Sequence, residues 1–179
     1  YLMYNFISIK GTGGKISSSK GNVITLRDCL DIYEPEIVRY LFAGTRPGAE
    51  FAISFDLDVL KIYEDFDKCE RIAFKKQEAK SDKEYRKQRR IYELSAVDKP
   101  AKNMPFQPSF RHLTTIIQIY DKDIKKILNY YKPKTKRDIK RITSRTNCAI
   151  NWLDKYAPED IKFKLNEKMD LMVKSSLKD

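Results

Sequence analysis

Histidine occurs once, at His112, and cysteine three times, at Cys29, Cys69 and Cys148, which lie 40 and 79 positions apart. Zinc-type sites need Cys and His at short, clustered spacings, so no metal site is expected and the thiols read as reduced core or surface groups. No apolar run approaches the roughly 20 residues of a membrane-spanning helix, and no signal peptide opens the chain. No membrane partner is expected, and a cytoplasmic setting fits. None of the 6 glycines makes the Gly-x-x-x-x-Gly-Lys-Ser/Thr spacing, which excludes a Walker-type phosphate loop. A starting Met and a closing helix cap are also missing: Tyr1 to Lys10 begins inside strand-like sequence, and a helical pattern over residues 166–177 runs to the end without a stop signal. The chain is therefore expected to be a piece of a longer protein.

What is present is charge. Lys and Arg number 36 against 25 Asp and Glu, a net +11 that points to a polyanionic partner. The excess is uneven: residues 1–60 hold 6 basic and 7 acidic side chains, leaving 30 and 18 for residues 61–179. With 41% hydrophobic residues over 179 positions there is enough apolar material for one medium domain or two small ones.

Along the chain, apolar residues fall on both faces of a strand over 1–10. Thr25 with Asp28 makes a capping-box-like start for a short helix carrying Leu26, Cys29, Leu30 and Tyr33. Pro35 suits the first turn of a second helix, with Gly44 expected just past its end. Thr45 to Gly48 reads as a turn and Phe51, Ile53 and Phe55 as a short extended piece. Asp56 is placed to cap a long helix through about Ala79. Residues 75–90 hold 8 basic and 3 acidic side chains, a helix with a basic face. Pro100, Pro105 and Pro108 mark 99–109 as a linker or extended docking strip. Ser109 caps a helix with Leu113, Ile116, Ile117 and Tyr120. A further helix spans Asp123 to Tyr131, and another runs from about Lys136 to Lys155 with Ile142, Ala149, Ile150 and Leu153 inward.

The densest chemistry is Lys15-Ile16-Ser17-Ser18-Ser19-Lys20-Gly21-Asn22, entered through Gly11-Thr12-Gly13-Gly14. Two ammonium groups bracket three hydroxyls on a glycine-hinged loop, which offers donors to one polyphosphate. On composition alone a plain flexible Gly/Ser/Lys loop fits as well. The flanks narrow the choice, because a strand precedes the loop and Val23-Ile24-Thr25-Leu26 leads into a helix. This strand–loop–helix unit resembles the KMSKS signature loop of class I aminoacyl-tRNA synthetases, in the Lys-x-Ser-Ser-Ser-Lys form of class I lysyl-tRNA synthetases. Residues 33–47, 50–58, 104–113 and 148–160 look like the same family. Ser18 stands where the commoner motif has its second lysine, with Lys20 two positions on.

The resemblance implies ATP-dependent activation of lysine to lysyl-adenylate and lysyl transfer to tRNA, with ATP as substrate and Mg2+ expected beside it. Lys15 and Lys20 are the candidate catalytic residues. Lys15, Ile16, Ser17, Ser18, Ser19, Lys20 and Gly21 are the expected ATP-binding stretch. No HIGH-type motif occurs, so this chain alone is expected to be inactive. From Lys122 to Arg145 there are 10 basic and 2 acidic residues, interleaved with Tyr130 and Tyr131. Lys125, Lys126, Lys132, Lys134, Lys136, Arg137, Lys140, Arg141 and Arg145 are the candidate RNA-binding residues, since such density neutralises several phosphates and tyrosines stack on unpaired bases. His112, without a paired nucleophile, reads as structural, and Trp152 as core.

The expected fold is mostly α with a small β component: a KMSKS-bearing, stem-contact-like region with a long helix over 1–80, a basic segment and Pro-containing linker over 81–108, and a helical tRNA-binding region over 109–179. The competing reading is a non-catalytic basic helical RNA-binding module.

Overall fold

The computed structural model describes residues 7–10, 25–46 and 48–165. The opening strand is present as β1 (Ile7–Ile9), which pairs in parallel with β2 (Phe51–Ile53), Ile7 opposite Phe51 and Ile9 opposite Ile53. A parallel pair needs a crossover rather than a hairpin. The crossover carries α1 (Leu26–Ile32) and α2 (Pro35–Gly44). Five further helices follow: α3 (Asp58–Ala73), α4 (Asp82–Ser95), α5 (Phe110–Ile119), α6 (Ile124–Tyr131) and α7 (Lys136–Lys155). Mostly α with a small β component is thus the observed class.

Most helix starts follow the capping chemistry of the sequence. The Asp28 backbone N–H donates to Thr25 Oγ1 (3.2 Å) while the Asp28 carboxylate accepts the Thr25 N–H (2.7 Å), a complete capping box. Thr135 and Asp138 repeat it at the start of α7, each bond 3.1 Å. Ser81, Ser109 and Asp123 cap α4, α5 and α6.

Several boundaries differ from expectation, among them the start of the basic helix expected over 75–90, which lies at Asp82. Gly44 is the last residue of α2 rather than the residue beyond it, because Thr45 closes the helix through its hydroxyl to Leu41 O (2.7 Å). α3 begins at Asp58 with Leu57 at the cap position, and Asp56 contributes from one residue earlier by accepting the Asp58 N–H (2.9 Å). α3 also ends at Ala73 instead of about Ala79. Lys75 adopts a left-handed backbone (φ 55°) and the Lys76 N–H returns to Arg71 O (2.8 Å), a turn that stops the helix. The reversal lets Phe74 meet Tyr92 of α4 edge to face, centroids 5.2 Å apart. The expected helix over 166–177 lies outside the described residues.

One core joins both ends of the chain. Tyr33 stacks with Tyr63 of α3 (6.1 Å), Tyr63 with Phe110 of α5 (3.8 Å), and Phe110 meets Trp152 of α7 edge to face (6.0 Å). All four rings are fully buried, and their polar atoms are matched: the Tyr63 hydroxyl donates to Ile32 O (2.9 Å) and Trp152 Nε1 to Phe55 O (3.0 Å). Residues on both sides of the 81–108 segment therefore pack against one another. α4 sits on a small satellite cluster of Cys69, Ile91 and Tyr92, bordered by Tyr40, Ala43, Ala73 and Phe74. All three cysteines are free and buried, and burial pushes the Cys69 and Cys148 thiols up to about 12, so they remain protonated packing groups.

Candidate functional site

The phosphate-type stretch Lys15 to Gly21 lies outside the described residues. Its two described flanks are fixed. On one side the Lys10 N–H continues the strand pairing to Ile53 O (3.1 Å) and its ammonium pairs with Asp58, which raises the Lys10 pKa. On the other side Thr25 is locked by the capping box, whose hydrogen bonds hold the Asp28 carboxyl below its ordinary pKa.

The nine residues expected to contact RNA divide into two sets. Lys125, Lys126, Lys132, Lys134, Lys136, Arg137 and Lys140 are exposed, on α6, the α6–α7 turn and the first turns of α7. Lys132 makes the turn by adopting a left-handed backbone (φ 47°). Arg145 is excluded from any surface: its side chain is 0% exposed, Nε donates to Glu34 Oε2 (2.9 Å), and Nη1 donates to Asp67 Oδ2 and Pro108 O (2.9 Å each). Its guanidinium also lies over the Tyr63 ring at 5.1 Å. Arg141 is mostly buried as well and reaches Glu70 Oε2 at 3.3 Å and Glu34 at 3.6 Å. Both arginines are structural, because a guanidinium with this many fixed, desolvated partners cannot leave them for a phosphate without stranding the carboxylates.

Three carboxyls, Glu34, Asp67 and Glu70, thus face two guanidiniums. Burial raises the Asp67 and Glu70 carboxyls above their ordinary pKa, against the pull of the arginines. Burial also opposes charge on Arg145, yet Glu34 and Asp67 outweigh it and hold the group protonated. Gln107 completes the cluster from the proline-rich strip by donating to Asp67 O (3.0 Å) and Glu70 Oε2 (2.6 Å), so residues 99–109 act as a docking strip. This cluster is the feature the sequence reading missed. The available signal was Asp67 and Glu70 lying on the same helical face as Tyr63 and Phe66, an apolar stripe that expects no carboxylates.

A cleft of about 420 Å³ opens beside the cluster, with Glu70, Phe66 and Tyr92 along it and Arg137 and Lys140 among its lining residues. Among the described residues no group of three or more His, Cys, Asp or Glu is placed to hold a metal ion, and no helix is long and apolar enough to cross a membrane.

Residues 1–98 match the sequence profile of the family described as tRNA synthetases class I (K). The chain belongs to that family. Its curated relatives include the lysine--tRNA ligases of Borreliella burgdorferi, 54% identical over 96% of this chain, and of Treponema pallidum, 50% identical over 92%. The lysine--tRNA ligase of Pyrococcus horikoshii is 42% identical over 93%. In each case the match takes in only about a third of the relative, 33%, 31% and 33% respectively. The chain thus spans about a third of the length of these relatives.

Proposed function

We propose that this chain is the part of a class I lysine--tRNA ligase that supplies the ATP and pyrophosphate loop and a contact surface for tRNA. The observation that carries this reading is the family match over residues 1–98, which includes the Lys15-Ile16-Ser17-Ser18-Ser19-Lys20-Gly21 stretch. The full enzyme joins lysine to ATP, releases pyrophosphate, and passes the lysyl group to the 3′ end of its tRNA in the cytoplasm.

The chemistry asks for what the loop carries. Negative charge grows on the departing pyrophosphate, so ammonium groups that engage it more strongly in the transition state speed the step. Lys15 and Lys20 fill that role, with Ser17, Ser18, Ser19 and the N–H groups of Ile16 and Gly21 orienting phosphate oxygens. Among the described residues no group of three or more His, Cys, Asp or Glu is placed to hold Mg2+. The β1–β2 pairing with the Lys10–Asp58 ion pair holds one described flank of this stretch, and the Thr25–Asp28 capping box holds the other. The exposed lysines of α6 and α7, with Arg137, meet tRNA phosphates.

The test is ATP–pyrophosphate exchange in the full-length ligase. Lys15→Ala and Lys20→Ala should lower adenylate formation far more than ATP binding, and unchanged turnover in both would reject the assignment. The 179-residue chain by itself should show no lysine-dependent exchange, since it holds no HIGH-type motif.

A further inference from the structure

Five rings gather at the α5–α6 hairpin. Tyr130 lies 5.1 Å from Tyr131, 5.7 Å from His112 and 6.2 Å from Tyr120, and Phe106 lies 5.8 Å from Tyr131. Tyr120 and Tyr131 rest against the main core, whereas Tyr130, His112 and Phe106 belong to neither hydrophobic cluster. Tyr130 is 45% exposed and Phe106 39%. Tyr130 is nonetheless fixed in place, because its hydroxyl and His112 Nε2 are hydrogen-bonded at 3.0 Å. A large ring held in one orientation outside the core is a surface prepared for contact.

The neighbourhood says what kind. Lys126 lies one turn before Tyr130 on α6, and Lys132 and Lys134 follow directly on the turn, all exposed. A partner must therefore offer flat π faces and repeated negative charge at once. Unpaired RNA offers both, a base to stack and a phosphate at every residue.

We propose that the Tyr130 ring, tied to His112 and flanked by Lys126, Lys132 and Lys134, is a stacking platform for an unpaired RNA base. The proposal rests on the reading that this face meets RNA, and adds that single-stranded rather than duplex RNA is bound here. Stacking and phosphate contact separate experimentally, since only phosphate contact depends on salt through counterion release.

The experiment is fluorescence anisotropy of the whole chain with a short labelled oligouridylate, and with a blunt RNA duplex of equal length, at several salt concentrations. The wild-type chain should prefer the single strand. Tyr130→Ala should weaken single-strand binding by about 5- to 100-fold, with no change in the salt slope. Tyr130→Phe keeps the ring and should bind within a few-fold of wild type. Tyr130→Leu keeps apolar bulk without a π face and should bind as weakly as Tyr130→Ala, which guards against a variant that fails to fold. Wild-type affinity in Tyr130→Leu, or equal affinity for duplex and single strand, would overturn the platform. The paired change Lys132→Gln with Lys134→Gln should instead lower the salt slope. If that slope falls while the Tyr130 variants bind normally, only the platform is lost; if the wild-type chain binds neither RNA, the RNA reading falls with it.

Discussion

Two sets of cations lie a few residues apart on α7 and have opposite fates. Lys136, Arg137 and Lys140 stand in water on its first turns, while Arg141 and Arg145 turn inward to Glu34, Asp67 and Glu70. In the sequence they form one basic run. The difference teaches that charge density along a helix does not report charge density at its surface. A guanidinium with five donors in a fixed fork can be satisfied indoors, and each inward arginine fixes carboxylates from two helices or their flanks. The outward lysines have no such partners, keep their water, and are free to meet phosphates.

The hardest blow to this contrast is Arg145→Ala. It leaves Glu34 and Asp67 buried without their main partner, so urea denaturation should show a loss of about 3–5 kcal/mol, or no folded protein at all. A loss below about 1 kcal/mol would mean that Arg145 is not structural. The complementary change replaces Lys132, Lys134, Arg137 and Lys140 together with Gln. Each should alter stability by no more than about 0.5 kcal/mol. Binding to lysine tRNA should weaken at least tenfold, with the salt slope reduced by about 0.7–0.9 per charge removed. Thr135→Ala removes the capping box that starts the helix carrying both sets, and should lower stability by about 1 kcal/mol without touching the buried cluster.

The finest distinction is the pH response. Glu70 has a raised folded pKa, so the fold binds its proton more tightly than the unfolded chain does. Its contribution to stability is fully present below the ordinary carboxyl range and declines as pH rises through the raised folded value. Glu70→Gln should therefore flatten the decline between mildly acidic and neutral pH in a series of urea titrations. An unaltered pH profile would place the excess charge of the cluster elsewhere. Asp28 works in the opposite direction: its pKa is lowered by the cap, so its contribution is present above the ordinary range and is lost as pH falls.

Much of the helical plan was legible because the signals are local. Thr25 with Asp28, and Ser109, mark helix starts through bonds made within three residues, Pro35 marks one through its fixed φ, and the structure uses each of them. The end of α3 was harder to read, because stopping at Ala73 depends on where Phe74 can find Tyr92, 18 residues away. Arg141 and Arg145 were misread for the same kind of reason. Their carboxylate partners lie 71 to 111 positions off in sequence, and nothing within a helical turn announces them.

By itself the sequence determined the fold class, the positions of most helices and, through its motifs, the family. These follow from short-range chemistry and from motifs whose order survives without coordinates. Only the tertiary structure decided which cations face water and that α1–α3 and α5–α7 share the Tyr33–Tyr63–Phe110–Trp152 core. It also decided that Tyr130 stands outside that core beside His112. Burial is a property of neighbours brought together from distant parts of the chain, and the free energy of a charge or a ring depends on those neighbours more than on its own identity.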